Sequence, residues 1–143
     1  MQLTSKQPLC LACAIASAAA LAGCGGTVST GSYSGESHAV AERISAFQRD
    51  ATEASQKKVC NEDLSAKLRE QIAKSGKGCE EALKEQLKAV EDITLEVKSI
   101  SVQGKSASAQ VSSTYSGKPC ASTLLLAKEG SAWRISGQRS SCR

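Results

Sequence analysis

The sequence predicts an α+β domain, with N-terminal helices packed on a bent, four-stranded antiparallel sheet. An export signal and a tether precede it. Three observations carry this reading. From Val40 to Val90 apolar residues recur at steps of three and four, the stripe of an amphipathic helix. After Asp92 the texture changes to alternation and β-branched residues divided by glycine turns. From His38 to Arg143 there are 106 residues without internal repeat, enough for one small domain and not two.

Taken along the chain, the first element is a signal peptide, residues 1–23. "MQLTSKQP" offers Lys6 and the amino terminus as a positive n-region, and Leu9–Ala22 is unbroken apolar or small sequence. As a helix these 14 residues would reach about 21 Å at ~1.5 Å per residue. A bilayer's hydrocarbon core is roughly 30 Å thick, so the run reads as a secretory h-region. Leu21-Ala22-Gly23-Cys24 resembles the lipobox of bacterial lipoproteins. That resemblance implies cleavage before Cys24 and a diacylglyceryl group on its thiol, with palmitate among the expected acyl chains. Two acyl chains anchor stably where one binds marginally. The 13 residues Gly25–Ser37 hold four Gly and four Ser, a flexible coil with a root-mean-square reach of about 20 Å. Residues 24–37 are therefore expected to tether a domain of residues 38–143 to the extracytoplasmic face of the cell membrane.

The helices follow. In "HAVAERISAFQRDATEASQKKVC" Val40, Ile44, Phe47, Ala51 and Ala54 form one stripe of a single long helix. Asn61 is the expected N-cap of a second helix that buries Leu64, Leu68 and Ile72, with Gly76 at its C-cap. A third, "CEEALKEQLKAV", buries Leu83, Leu87 and Val90, its acidic start and lysine-bearing end suiting the helix dipole.

The strands come next. "ITLEVKSISVQG" points Ile93, Leu95 and Val97 one way and Ile100 and Val102 with the opposite parity, so a bulge near Ser99 is expected to restore a common face. "SASAQVSSTYS", "CASTLLLAKEG" and "SAWRISGQ" complete an antiparallel meander. Leu124-Leu125-Leu126 suggests a central strand covered on both faces.

Cysteine usage fits export. Of the seven cysteines, Cys10 and Cys13 leave with the signal and Cys24 is acylated, which leaves Cys60, Cys79, Cys120 and Cys142. Four cysteines in an exported domain read as two disulfides with three possible connectivities. The nearest-neighbour pairing, Cys60–Cys79 and Cys120–Cys142, is favoured because each bridge closes a short loop, stabilising by about 3 kcal/mol. A two-residue turn at Glu129-Gly130 would set Cys120 opposite Arg139, so the second bridge requires another bulge or a folded-back tail. No C-x-x-C survives cleavage and the one histidine, His38, has no ligand-spaced partner. Neither a metal nor another cofactor is expected.

Three helices followed by a bent meander resemble the nuclear-transport-factor-2-like (NTF2-like) fold, an α+β cone. "CNEDLS" (Cys60–Ser65), "CEEAL" (Cys79–Leu83) and "LAKEGSAWRI" (Leu126–Ile135) resemble motifs of small actinobacterial lipoproteins with such domains. Fold relatives include ketosteroid-isomerase-like and SnoaL-like enzymes and many domains without known activity. The cone implies a pocket, with Phe47, Ala107, Ala109, Val111, Tyr115, Leu125 and Trp133 as its expected lining. Those side chains suit a dry cavity for a small apolar ligand.

Chemistry is sparse. Enzymes of this layout project an Asp, Glu or His into the cone, a role that needs a tuned acid or base. From Lys98 to Arg143 there is one acid, Glu129, and no histidine. Glu96 alternates toward solvent, Asp50 and Asp63 belong to helices, and Tyr115 offers a hydroxyl. A SnoaL-like enzyme would have to use Glu96, Asp50 or Tyr115. Residues 36–97 carry ten basic against thirteen acidic side chains, and residues 98–143 seven against one. Lys98, Lys105, Lys118, Lys128, Arg134, Arg139 and Arg143 make the sheet half basic, a candidate surface for anionic wall polymer or lipid. The sequence thus points to a non-enzymatic, membrane-anchored binding or accessory domain. Its expected partners are the membrane through Cys24, a small apolar ligand or an envelope protein, or a second copy as a homodimer, and not nucleic acid.

Overall fold

The computed structural model describes residues 28–88, 94–115 and 118–140, with the side chain of Tyr115 outside that set. Residues 1–23, Cys24, Val90, Ile93, Cys142 and Arg143 also lie outside the described residues. Among the described residues no helix is long and apolar enough to cross a membrane. The elements are α1 (Gly35–Thr52), α2 (Gln56–Lys58), a π-helical turn (Val59–Asp63), α3 (Ala66–Ala73) and α4 (Gly78–Lys88). Four strands follow: β1 (Leu95–Gln103), β2 (Ser106–Tyr115), β3 (Lys118–Glu129) and β4 (Ala132–Ser140). They pair antiparallel in the order β1-β2-β3-β4. The α+β class and the four-stranded meander agree with expectation.

The long first helix does not run to Cys60. It stops at Thr52 in a Schellman motif: Ser55 N–H donates to Asp50 O at 2.8 Å and Ala54 N–H to Ala51 O at 3.0 Å. The left-handed residue this motif requires is Ala54, at φ +50°, where glycine is usual. Periodicity ran through the stop because nothing in the residue type announces it. After α2 the chain makes one wide turn, closed by Leu64 N–H on Val59 O at 3.0 Å. Leu64 is then extended and forms a parallel bridge with Ile135 of β4, and Ser65 N–H donates to Ile135 O at 2.8 Å.

That bridge moves the cap. Asn61 lies inside the π turn, and Ser65 is the N-cap of α3, its Oγ accepting from Leu68 N–H at 3.2 Å. Glu129, from the β3–β4 turn, accepts from Ala66 N–H at 3.0 Å and caps the same helix from across the fold. Leu68 and Ile72 are half-buried against the core. In α4, Leu83 and Leu87 are buried as expected.

The bulge near Ser99 is present. Val97 pairs with Val111 and Ser99 with Gln110, which leaves Lys98 as the extra residue. A second irregularity lies in the last hairpin: Leu126 pairs with Ile135 but Leu125 with Gly137. The turn itself is Gly130-Ser131, with Glu129 opposite Ala132 and Gly130 at φ +62°. Two bulges in four strands bend the sheet, since each extra residue adds local twist.

α1 lies closest to β1 and β4, the two edge strands, and so sits in the trough of the curved sheet. The core is the layer between them. Val40, Ala41 and Ile44 of α1 are fully buried, together with Ala109, Val111, Leu124, Leu126, Trp133 and Ile135 of the sheet. The packed region starts before His38, the expected boundary. α1 begins at Gly35, and Val28, inside the segment read as tether, is buried in the core.

Candidate functional site

The inner face of the sheet is where an interior site would form, and side chains fill it. Ala107, Ala109, Val111 and Trp133 do share that face, at 7%, 0%, 2% and 3% exposure. Register sets Ala107 beside Leu126 and Ala109 beside Leu124. Ile44 of α1, at 0% exposure, belongs to the same cluster, and Phe47 packs half-buried at its margin. The small residues on β2 make room for a helix, a reading that alternation alone does not separate from a pocket. Leu125 corrects the expected lining. It pairs with Ser108 and lies on the outer face, half-buried, its Cδ1 3.7 Å from where a Cβ on Gly137 would stand. The expectation of β3 covered on both faces fails with it: Leu124 and Leu126 are buried and Leu125 is not.

Charge is concentrated instead between α1 and the π turn. Asp63 is 0% exposed and receives Arg43 Nη1 on Oδ1 at 2.7 Å, while its Oδ2 is buried without a hydrogen-bond partner. Burial pushes its carboxyl above the ordinary value of 3.8; the Arg43 bond opposes that, and the nearby Asp50 charge adds to it. Asp50, at 1% exposure, meets Arg49 Nε at 3.2 Å and Lys58 Nζ at 3.7 Å. Two ion pairs of opposite sense therefore join α1 to the following turn, Arg43 to Asp63 and Asp50 to Lys58. The Cys60–Cys79 disulfide fastens the same turn to α4. This bridge agrees with the favoured pairing. Cys120 is also disulfide-bonded, and Cys142, its expected partner, lies outside the described residues.

A further polar cluster closes the N-terminal end of α1. Glu36 accepts from Lys128 Nζ at 2.6 Å on one oxygen and from Trp133 Nε1 at 2.7 Å on the other. Lys128 Nζ also lies 5.8 Å from the Trp133 ring centroid, within cation–π range. These donors hold the Glu36 carboxyl below its ordinary value. Glu36 was read as tether, and the signal that could have assigned it was an acid in the first turn of a helix.

The other acids and bases are dispersed. Glu96 is exposed, as expected; Lys98 at 2.6 Å and the Ser112 hydroxyl at 3.4 Å hold its carboxyl below the ordinary value. His38 bonds Thr30 O through Nδ1 at 3.0 Å and faces Glu42 at 3.2 Å. Among the described residues no group of His, Cys, Asp and Glu is placed to hold a metal ion. The six basic residues of the sheet do not form one patch. Lys98 and Lys128 are in ion pairs and Arg134 donates to Asn61 O at 3.2 Å. Lys105 sits in the β1–β2 turn and Lys118 opens β3, at opposite ends of the same ladder. Arg139 alone of the six stands exposed on the outer face, opposite Thr123.

Two solved structures share this arrangement of helices in the trough of a bent sheet. A protein of Shewanella baltica OS155, described as NTF2-like and of unknown function, superposes with TM-score 0.53 at 17% identity, over 76% of this chain and 95% of that one. One from Silicibacter pomeroyi DSS-3, described in the same words, gives 0.52 at 16% identity over 71% and 92%. The fold is NTF2-like. No protein-family model matches the chain, and no curated protein sequence does. Within this NTF2-like domain the cone is occupied by the chain's own core, and its ionic groups serve α1, the π turn and the N-terminal segment.

Proposed function

We propose that this chain is a membrane-anchored, extracytoplasmic lipoprotein whose NTF2-like domain is a non-enzymatic docking module for an envelope protein. The observation that carries the docking reading is the filled inner face, from Ile44 to Ala109 and Leu126, which leaves recognition to the outside of the molecule. The outer face of the sheet offers Ser108, Gln110, Thr123, Leu125 and Arg139, a nearly neutral, small-residue surface. Two shallow grooves indent it, of about 240 Å³ beside Gln110, Thr123 and Arg139 and about 200 Å³ beside Ser101, Ser108 and Leu125. A neutral face of this kind can be covered by another protein with little charge desolvation. Dispersal of the basic residues makes anionic polymer the weaker partner for the sheet.

The test is a native mass spectrum of the protein gently extracted from its own membranes, with and without cross-linking. The expected species starts at Cys24, carries acyl chains and binds one partner protein of defined mass, and Leu125→Arg abolishes the complex. A dimer of this chain would replace the envelope partner by a second copy. A small-molecule passenger instead of a protein would overturn the docking reading.

A further inference from the structure

The composition of Gly25–Ser37 predicts a long leash, but the structure shortens it. Val28 is 6% exposed and part of the core. It lines a groove of about 340 Å³ with Ser45, Gln48, Arg49, Thr52 and Glu53, so it lies on the C-terminal half of α1. The chain then runs back along the helix, turns where Tyr33 N–H meets Thr30 O at 3.2 Å, and enters α1 at Gly35. The His38 ring on Thr30 O and the Glu36 clamp on Lys128 and Trp133 fix this strap from inside α1. Only Gly25, Gly26 and Thr27 separate Cys24 from the buried Val28. Four residue steps span at most about 14 Å.

We infer that the strap from Val28 to Ser34 holds the domain flush on the membrane, with the C-terminal end of α1 against anionic lipid headgroups. This rests on the reading of Cys24 as the acylated residue. The end of α1 brought to the bilayer carries Arg49, Lys57 and Lys58, all exposed. Arg49 and Lys58 share the buried Asp50 carboxylate, which fixes them side by side at 60% and 48% side-chain exposure. A cationic cluster held within one Debye length of an anionic leaflet is attracted to it. The membrane-facing surface is then this end of α1 rather than the basic half of the sequence.

The test uses the full acylated chain on vesicles of phosphatidylethanolamine and phosphatidylglycerol, footprinted with a membrane-impermeant lysine-acylating reagent and read by peptide mass. Labelling of Lys57 and Lys58 should fall several-fold relative to detergent solution, while Lys67, Lys74 and Lys77 keep theirs. Inserting twelve Gly/Ser residues between Thr27 and Val28 should restore it. Equal labelling in vesicles and detergent, or protection that survives the insertion, overturns the inference. The same spectra report the mass at Cys24. An unmodified Cys24 overturns the anchoring reading and, with it, the flush geometry. Acylated Cys24 with open-chain deuterium exchange at Tyr33 overturns the strap alone.

Discussion

Asp63 carries one carboxylate oxygen on Arg43 and another with no partner, both out of water. An acid whose folded-state value is raised binds its proton more tightly folded than unfolded, so its contribution to stability falls as pH rises. The fall begins at the unfolded value, near 3.8, and ends above the raised one. Asp63→Asn removes this dependence. The variant loses the ion pair and is destabilised by about 3 kcal/mol at acid pH, in the range for breaking a buried pair. Its deficit relative to the natural protein should shrink as pH rises from 3 to 7, measured by thermal unfolding. A constant deficit would show that the carboxyl titrates alike in both states. Ala54 makes the second residue-scale case. Its left-handed conformation costs about 1–2 kcal/mol for a residue with a Cβ. Glycine there would relieve that and lose about 0.4–1 kcal/mol through unfolded-chain entropy. Ala54→Gly should therefore raise the melting temperature by a few degrees, as a net gain of about 0.5 kcal/mol would. Both residues show why a sequence under-reports its own exceptions: an alanine where glycine is usual, and an aspartate whose burial follows from a turn made twenty residues after its partner Arg43.

At the scale of elements, legibility followed the kind of force involved. Strand faces came through because parity is strict: Val97 and Ile100 cannot share a face unless one residue is extra, and Lys98 is that residue. Helix limits came through less well, because long-range bonds set them. α3 starts at Ser65 rather than Asn61 because β4 takes the backbone of Leu64 and Ser65. The expected lining of the cone was mixed for a related reason. Alternation places Ala107, Ala109 and Val111 correctly, but only the register across β2 and β3 sends Leu125 to the other side. The π turn depends on its fastenings, and the disulfide is the covalent one, closing a loop across a sequence separation of 19. Replacing Cys60 and Cys79 together by serine should cost about 3 kcal/mol. Urea unfolding should show the loss as a lower midpoint. Exchange of the amides of α3 and α4, which this bridge and the neighbouring contacts couple, should accelerate more than that of β2 and β3. Uniform acceleration would mean that the bridge stabilises only the whole domain and not this corner of it.

For the whole molecule, the decisive question is whether the trough between α1 and the sheet is a filled core or a collapsed pocket. A pocket lined by alanines would accept a larger side chain with little penalty, and a filled core would not. Ala109 lies at the centre of the inner face at 0% exposure, beside Leu124 and in one cluster with Ile44. Protein interiors are packed to near crystal density, so added methylenes displace neighbours. Ala109→Leu should cost about 1–3 kcal/mol, as overpacking does, and accelerate unfolding. The single tryptophan of the chain, buried at 3% in the same cluster, supplies the fluorescence that follows it. Leu125→Arg on the outer face is the matched control, since a charge there meets solvent and should leave stability within about 0.5 kcal/mol. If Ala109→Leu is neutral or stabilising, the inner face holds usable space and the small-ligand reading of this NTF2-like domain returns. If it destabilises while Leu125→Arg does not, the two faces are divided by role. The inner one maintains the fold, and the outer one is free to mutate for binding without loss of structure. That division is what a docking module requires, because a partner-binding face under selection must be separable from the core that presents it.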